Sequence, residues 1–306
     1  MTLPYSHVMA TTDSARPDPP SERRAPAREM SSVARSADGR RIAYATYGPP
    51  DGDPVVFFHG TPGSRRLGAL LEPAARANDV RVIAPDRPGY GRSPPQSGRT
   101  VGDAAASVRP VLNDLGVERA ALVAFSGGAP YALATAASLG DRVTGVDLVA
   151  GATPPSFGDD TPAVQRLLSG LAAATPSVLG ALLRGQAWVA SRADPSFVVA
   201  QYAEDADAVP EDAATVVKED FLAAFERHRN GAVTEFRDAG SDWGIDLDAV
   251  DAPVRLWHGT DDANVPVAGA ERLAEALPTA ELRVLDGADH LGTLLRAAPE
   301  ALSRSR

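Results

Sequence analysis

No cysteine occurs among the 306 residues of the chain. That excludes disulfides, a thiolate nucleophile and cysteine-ligated metal sites together. Lys218 is the one lysine, and nothing around it favours a Schiff base. There is no apolar run of roughly 18 residues, so no membrane-spanning helix is expected. A basic patch able to track a phosphate backbone is also missing. The formal net charge is -10 and the pI about 5.0, so nucleic acid is not an expected partner. Residues 1–30 hold five prolines, four arginines and four acidic residues and lack the apolar centre of a secretory signal. They read as a disordered tail on a soluble cytoplasmic protein.

What is present is a hydrophobic fraction of 44%, enough to bury a substantial core. Ser32–Ser36 and Arg41–Tyr47 alternate on either side of Asp38-Gly39, the signature of a hairpin. Val55–Phe58, Arg81–Ala84, Ala120–Phe125 and Val143–Val149 are short, nearly continuous apolar runs, as suits strands buried on both faces of a parallel sheet. Helical stretches such as Thr100–Leu115 and Gly128–Leu139 lie between them, and the alternation implies a doubly wound α/β architecture. From about Thr153 to Trp243 the strand pattern stops. Helical spacing replaces it, with Thr161-Pro162, Thr175-Pro176 and Asp194-Pro195 as starts. The sheet resumes at Val254–His258 and Glu281–Leu285. The expected division is a core of residues 31–152 and 246–306 with a helical lid at 153–245.

The run Leu122-Val123-Ala124-Phe125-Ser126-Gly127-Gly128 carries a buried strand directly into a helix. A serine at such a turn is presented at the carboxyl edge of the sheet, and the crowded backbone demands small residues two before and two after it. Ala124 and Gly128 meet that demand, although the usual pattern has glycine at both places. Serine needs a base, itself oriented by a third group. Of the five histidines, His7 lies in the tail and His228 in a charged stretch. His59 and His258 sit in tight-turn contexts before glycine. His290 follows the last strand on a short loop that can reach over the sheet edge, which makes it the base. The acid belongs on the loop after the preceding strand, where Asp261 and Asp262 are adjacent and both eligible. The order nucleophile, acid, base is that of the fold.

Four motifs together resemble the α/β-hydrolase superfamily, in its lid-bearing branch with a His-Gly-x-Pro-Gly oxyanion segment. They are His59-Gly60-Thr61-Pro62-Gly63, Asp86-Arg87-Pro88-Gly89-Tyr90-Gly91-Arg92-Ser93, Ala124 to Gly128, and Gly259 to Pro266. The resemblance spans roughly Val33 to Ala301 and implies a mostly parallel sheet of about eight strands. It selects Asp262 over Asp261 through the Asp-x-x-Val-Pro pattern. It also implies an oxyanion hole formed by the backbone N–H groups of Thr61 and Gly127. His59 then supports the loop, and Asp86 and Arg92 are ionic candidates for bracing the site. The absence of a His-Gly-Gly-Gly segment argues against the hormone-sensitive-lipase branch. A serine, where related epoxide hydrolases and haloalkane dehalogenases carry aspartate, disfavours those activities.

The expected function is a carboxylic ester hydrolase working through an acyl-enzyme on a small ester, lactone or thioester. Its rivals are C–C bond hydrolysis, acyl transfer or cyclisation, cofactor-free oxygenase or perhydrolase chemistry, and small-ligand reception without catalysis. Phe125, Trp188, Phe221 and Phe225 are the expected apolar walls of the substrate pocket. No cofactor or metal is expected, and the expected partner is a small-molecule substrate.

Overall fold

A computed structural model describes residues 30–157 and 162–303. The expected tail lies outside these residues, except for Met30, which begins the first strand. In chain order the strands are β1 (Met30–Arg35), β2 (Arg41–Tyr47), β3 (Asp53–Phe58), β4 (Val80–Pro85), β5 (Ala120–Phe125), β6 (Val143–Val149), β7 (Val254–Gly259) and β8 (Ala280–Leu285). They form one sheet in the order β1-β2-β4-β3-β5-β6-β7-β8. β1 and β2 make the expected hairpin, with Arg35 opposite Arg41, and β2 meets β4 antiparallel. From β4 through β8 every pairing is parallel.

The period of two along the central strands divides the core into two layers. Val55, Phe57, Val123 and Phe125 enter one buried cluster, whereas Val56, Phe58, Leu122 and Ala124 enter the other. Helices cover both faces: α1 (Glu72–Ala77), α2 (Ala104–Asp114) and α3 (Ala129–Leu139) before the insertion, and α9 (Val267–Ala276) and α10 (His290–Ala301) after it. Between β6 and β7 the described chain is helical, with α4 (Ala163–Ala174), α5 (Pro176–Ala190), α6 (Ser196–Val199), α7 (Glu211–Ala224) and α8 (Asn230–Asp238). α5 starts as the sequence indicates, with Pro176 in its first turn after Thr175. Among the described residues no helix is long and apolar enough to cross a membrane.

Chain winding positions the site. β3 has β4 on one side and β5 on the other, so the segments leaving β3 and β5 diverge at their carboxyl ends and open a crevice. The His59–Gly63 segment and the Ser126 turn meet there.

Candidate active site

Ser126 stands at φ 53°, a left-handed conformation that costs a non-glycine residue about 1–3 kcal/mol and persists only where its surroundings enforce it. The enforcement is visible on both sides. A Cβ on Gly128 would lie 2.5 Å from the Phe58 carbonyl oxygen, and one on Gly127 would lie 2.4 Å from Thr61 Oγ1. Both glycines are therefore required by the close approach of the β3 loop. The Ser126 carbonyl accepts a 2.9 Å bond from the Ala152 N–H, tying the turn to the end of β6. Ala124 is fully buried and fills its position two residues before the serine.

Asp262 and His290 are brought together. His290 Nδ1 donates to Asp262 Oδ2 at 2.8 Å, while Oδ1 accepts the Asn264 and Val265 N–H groups at 2.9 Å each. Burial alone would raise the Asp262 carboxyl, but the His290 bond and the backbone donors hold it below its ordinary value. The aspartate is thus ionised, and it fixes the His290 tautomer with Nε2 free. Asp261 is exposed and accepts from its neighbour Thr260 instead. His290 is the first residue of α10 rather than part of a loop, and Asp289 caps that helix by accepting the Gly292 N–H. The imidazole is packed between Phe125 and Tyr202, at ring-centroid distances of 4.8 and 6.3 Å. The Ser126 hydroxyl makes no hydrogen bond among the described residues.

Thr61 lies against Gly127, its backbone nitrogen 3.2 Å from where a Gly127 Cβ would be. The two N–H-bearing positions are thus neighbours across the crevice. His59 is buried and neutral: burial first, and the adjacent Arg87 second, hold it well below its ordinary value. Its Nδ1 bonds the Gly60 carbonyl at 2.8 Å, as suits a loop support.

The bracing differs from the expected Asp86–Arg92 pair. Asp86 instead pairs with Arg65 at 2.9 Å, and from Arg92 it accepts only the backbone N–H. The Arg92 guanidinium turns outward to Glu226 at 3.4 Å. Two further charged residues, Glu235 and Asp220, went unrecognised in the sequence. Glu235 of α8 is gripped by Arg87 at 2.7 Å through both of its oxygens, and it also accepts from Arg99, Tyr90 and Thr61 Oγ1 at 2.9, 2.8 and 2.6 Å. Burial would raise its carboxyl, but Arg87 and Arg99 hold it down at about 2. Arg87 also donates to the carbonyls of His59 and Gly60. Asp220 of α7 accepts Ser64 N–H, Ser64 Oγ–H and Leu67 N–H on one oxygen, at 2.7, 2.7 and 3.0 Å. Burial pushes its carboxyl up to about 7. Glu235 and Asp220 lie more than a hundred residues from their partners in sequence, so no local pattern marks them.

Ser126 faces two cavities. The larger, about 140 Å³, is walled by Thr61, Gly127, Tyr131, Phe236 and Trp243 among others. The smaller, about 20 Å³, is walled by Phe125, Tyr202, Asp220, Phe221 and Leu291 with parts of the β3 loop. Phe125 and Phe221 wall the smaller cavity beside Ser126 and not the larger one. Trp188 and Phe225 line neither cavity. Trp188 lies on the outer face of α5, 60% exposed beneath Arg192, because Leu179, Leu183 and Ala190 are the residues that α5 buries. Phe225 packs edge-on against Phe221 within the core. The aromatic walls of the larger cavity are Tyr131, Phe236 and Trp243.

A family profile described as the alpha/beta hydrolase fold matches residues 53–297. The chain belongs to this family. Within the α/β hydrolase fold, the chain is 31% identical over 284 residues to a non-heme chloroperoxidase of Streptomyces lividans, covering 88% of this chain and 95% of that one. Among solved structures, Est816, described as an N-acyl homoserine lactone degrading enzyme, is 26% identical with a TM-score of 0.64, covering 89% and 98% of the two chains. An esterase from Exiguobacterium antarcticum has a TM-score of 0.69 at 20% identity over 89% and 97%, a likeness of fold.

Proposed function

We propose that the protein is a serine hydrolase that cleaves a small carboxylic ester, lactone or thioester through an acyl-enzyme on Ser126. The Asp262–His290 bond carries this reading. It leaves His290 Nε2 as an acceptor on the residue packed against Phe125, directly before the serine in the chain. His290 takes the Ser126 proton as Oγ attacks the acyl carbon, and Asp262 stabilises the resulting imidazolium. The Ser126–His290 contact belongs to the substrate complex, since such bonds commonly tighten only when substrate is bound. The N–H groups of Thr61 and Gly127 meet the oxyanion. His290 then protonates the leaving alcohol, and water resolves the acyl-enzyme. The larger cavity, with its Phe236 and Trp243 walls, takes the apolar acyl group. Within a lid built from residues 153–245, those two aromatics set its shape.

A fluorophosphonate probe tests the mechanism. One equivalent is expected to attach to Ser126, with attachment lost in Ser126→Ala and strongly slowed in His290→Ala. Labelling that persists in Ser126→Ala would overturn the assignment. Likeness to a non-heme chloroperoxidase supports a second reading on the same site, in which hydrogen peroxide replaces water and the product is a peracid. Peracid formation from acetate and peroxide, measured beside p-nitrophenyl acetate hydrolysis, separates the two.

A further inference from the structure

Ser126 is the one residue that walls both cavities. The smaller, at about 20 Å³, is too narrow for an acyl chain but matches a single water, which needs roughly 10–15 Å³ and at least two polar partners. Its polar wall is Asp220, fully buried. One oxygen of that carboxylate is saturated by three donors from Ser64 and Leu67, whereas Oδ2 accepts no hydrogen bond among the described residues. Tyr202, also a wall, stacks on the His290 ring, and its carbonyl accepts the Leu291 N–H at 2.9 Å. Two walls of the cavity, Phe125 and Tyr202, are thus the rings packed against the His290 imidazole.

Building on the acyl-enzyme reading, we propose that this cavity holds the water that resolves the acyl-enzyme and that Asp220 Oδ2 is the group that holds it. The carboxylate accepts one water proton in a hydrogen bond, leaving the other directed at His290 Nε2. The water oxygen bonds to the acyl carbon while that second proton passes to Nε2. When the tetrahedral intermediate collapses, the bond to Ser126 Oγ breaks, Oγ takes the proton from His290, and the carboxylic acid leaves. The Oδ2 contact takes no part in the first half-reaction, and an asparagine at this position keeps an oxygen to accept from Ser64 and Leu67.

That division gives a test that a bracing role for Asp220 would fail. With p-nitrophenyl acetate, Asp220→Asn is expected to lower kcat and KM together, by about tenfold or more, with kcat/KM held within about twofold. A burst of p-nitrophenol approaching one equivalent and an acetylated Ser126 detectable by mass should accompany it. Val217→Leu, which adds bulk at another wall of the cavity and leaves the carboxylate itself in place, is expected to show the same split. Loss of kcat/KM in step with kcat, with no burst in either variant, overturns the water assignment. Fluorophosphonate labelling of the same preparations keeps the two readings apart, because unlabelled wild-type protein would instead mean that the acyl-enzyme reading has failed.

Discussion

His258 Nε2 lies 3.6 Å from Asp262 Oδ2, the same oxygen that accepts the bond from His290. His258 Nε2–H is committed to the Val265 carbonyl at 2.7 Å, and burial holds the ring below its ordinary value. It is thus a neutral donor that fixes the turn carrying Asp262. The two histidines should therefore respond differently. His290→Ala is expected to lower kcat/KM by a factor of about 10³ or more. His258→Ala is expected to lower it only several-fold while destabilising the fold by about 1–3 kcal/mol through the orphaned Val265 carbonyl. Steady-state kinetics with urea unfolding of both variants checks this. Equal loss of activity would make His258 a participant in the chemistry.

Gly127 offers a probe of the proposed oxyanion donors that leaves every side chain of the proposed triad in place. Its Cβ would meet Thr61 Oγ1 at 2.4 Å and Thr61 Cβ at 2.7 Å, so an alanine must push the two loops apart. Gly127→Ala is expected to lower kcat by about 10²–10³ with a much smaller change in KM, as when one oxyanion donor is removed. A change confined to KM would place the oxyanion elsewhere.

The pairs between the insertion and the core should differ sharply in strength. Glu235 is buried with Arg87 and Arg99, so Glu235→Ala leaves two guanidiniums without their counter-charge. The expected cost is about 3–5 kcal/mol. Glu219–Arg66 and Glu226–Arg92 join the same two parts at the surface, and Glu219→Ala or Glu226→Ala should each cost at most about 1 kcal/mol. Chemical denaturation of the three variants decides it.

The fold was legible because its central strands are apolar on both faces and its turns carry glycine where the backbone demands it. Ser126 was legible through the strand–turn–helix context and Gly128. Asp262 was not separable from Asp261 by local pattern, because the difference lies in which carboxylate the turn aims at His290. Trp188 was misplaced for a related reason. Helical spacing shows that α5 has an apolar face, but not which of its large residues the core takes up. Asp220 and Glu235 were out of reach because a buried charge is defined by distant partners, and in sequence each resembles a solvated acid on an amphipathic helix.

Glu235 and Asp220 have a joint consequence for how substrates enter. Each fastens a different insertion helix to the loop that bears Thr61. Lifting α7 and α8 away as a hinged flap would therefore expose two unpaired carboxylates and release the Thr61 loop from both of its ties. The roof over Ser126 is in this sense joined to its floor, and a ligand that enters with these pairs intact has to fit the cavity as its walls stand.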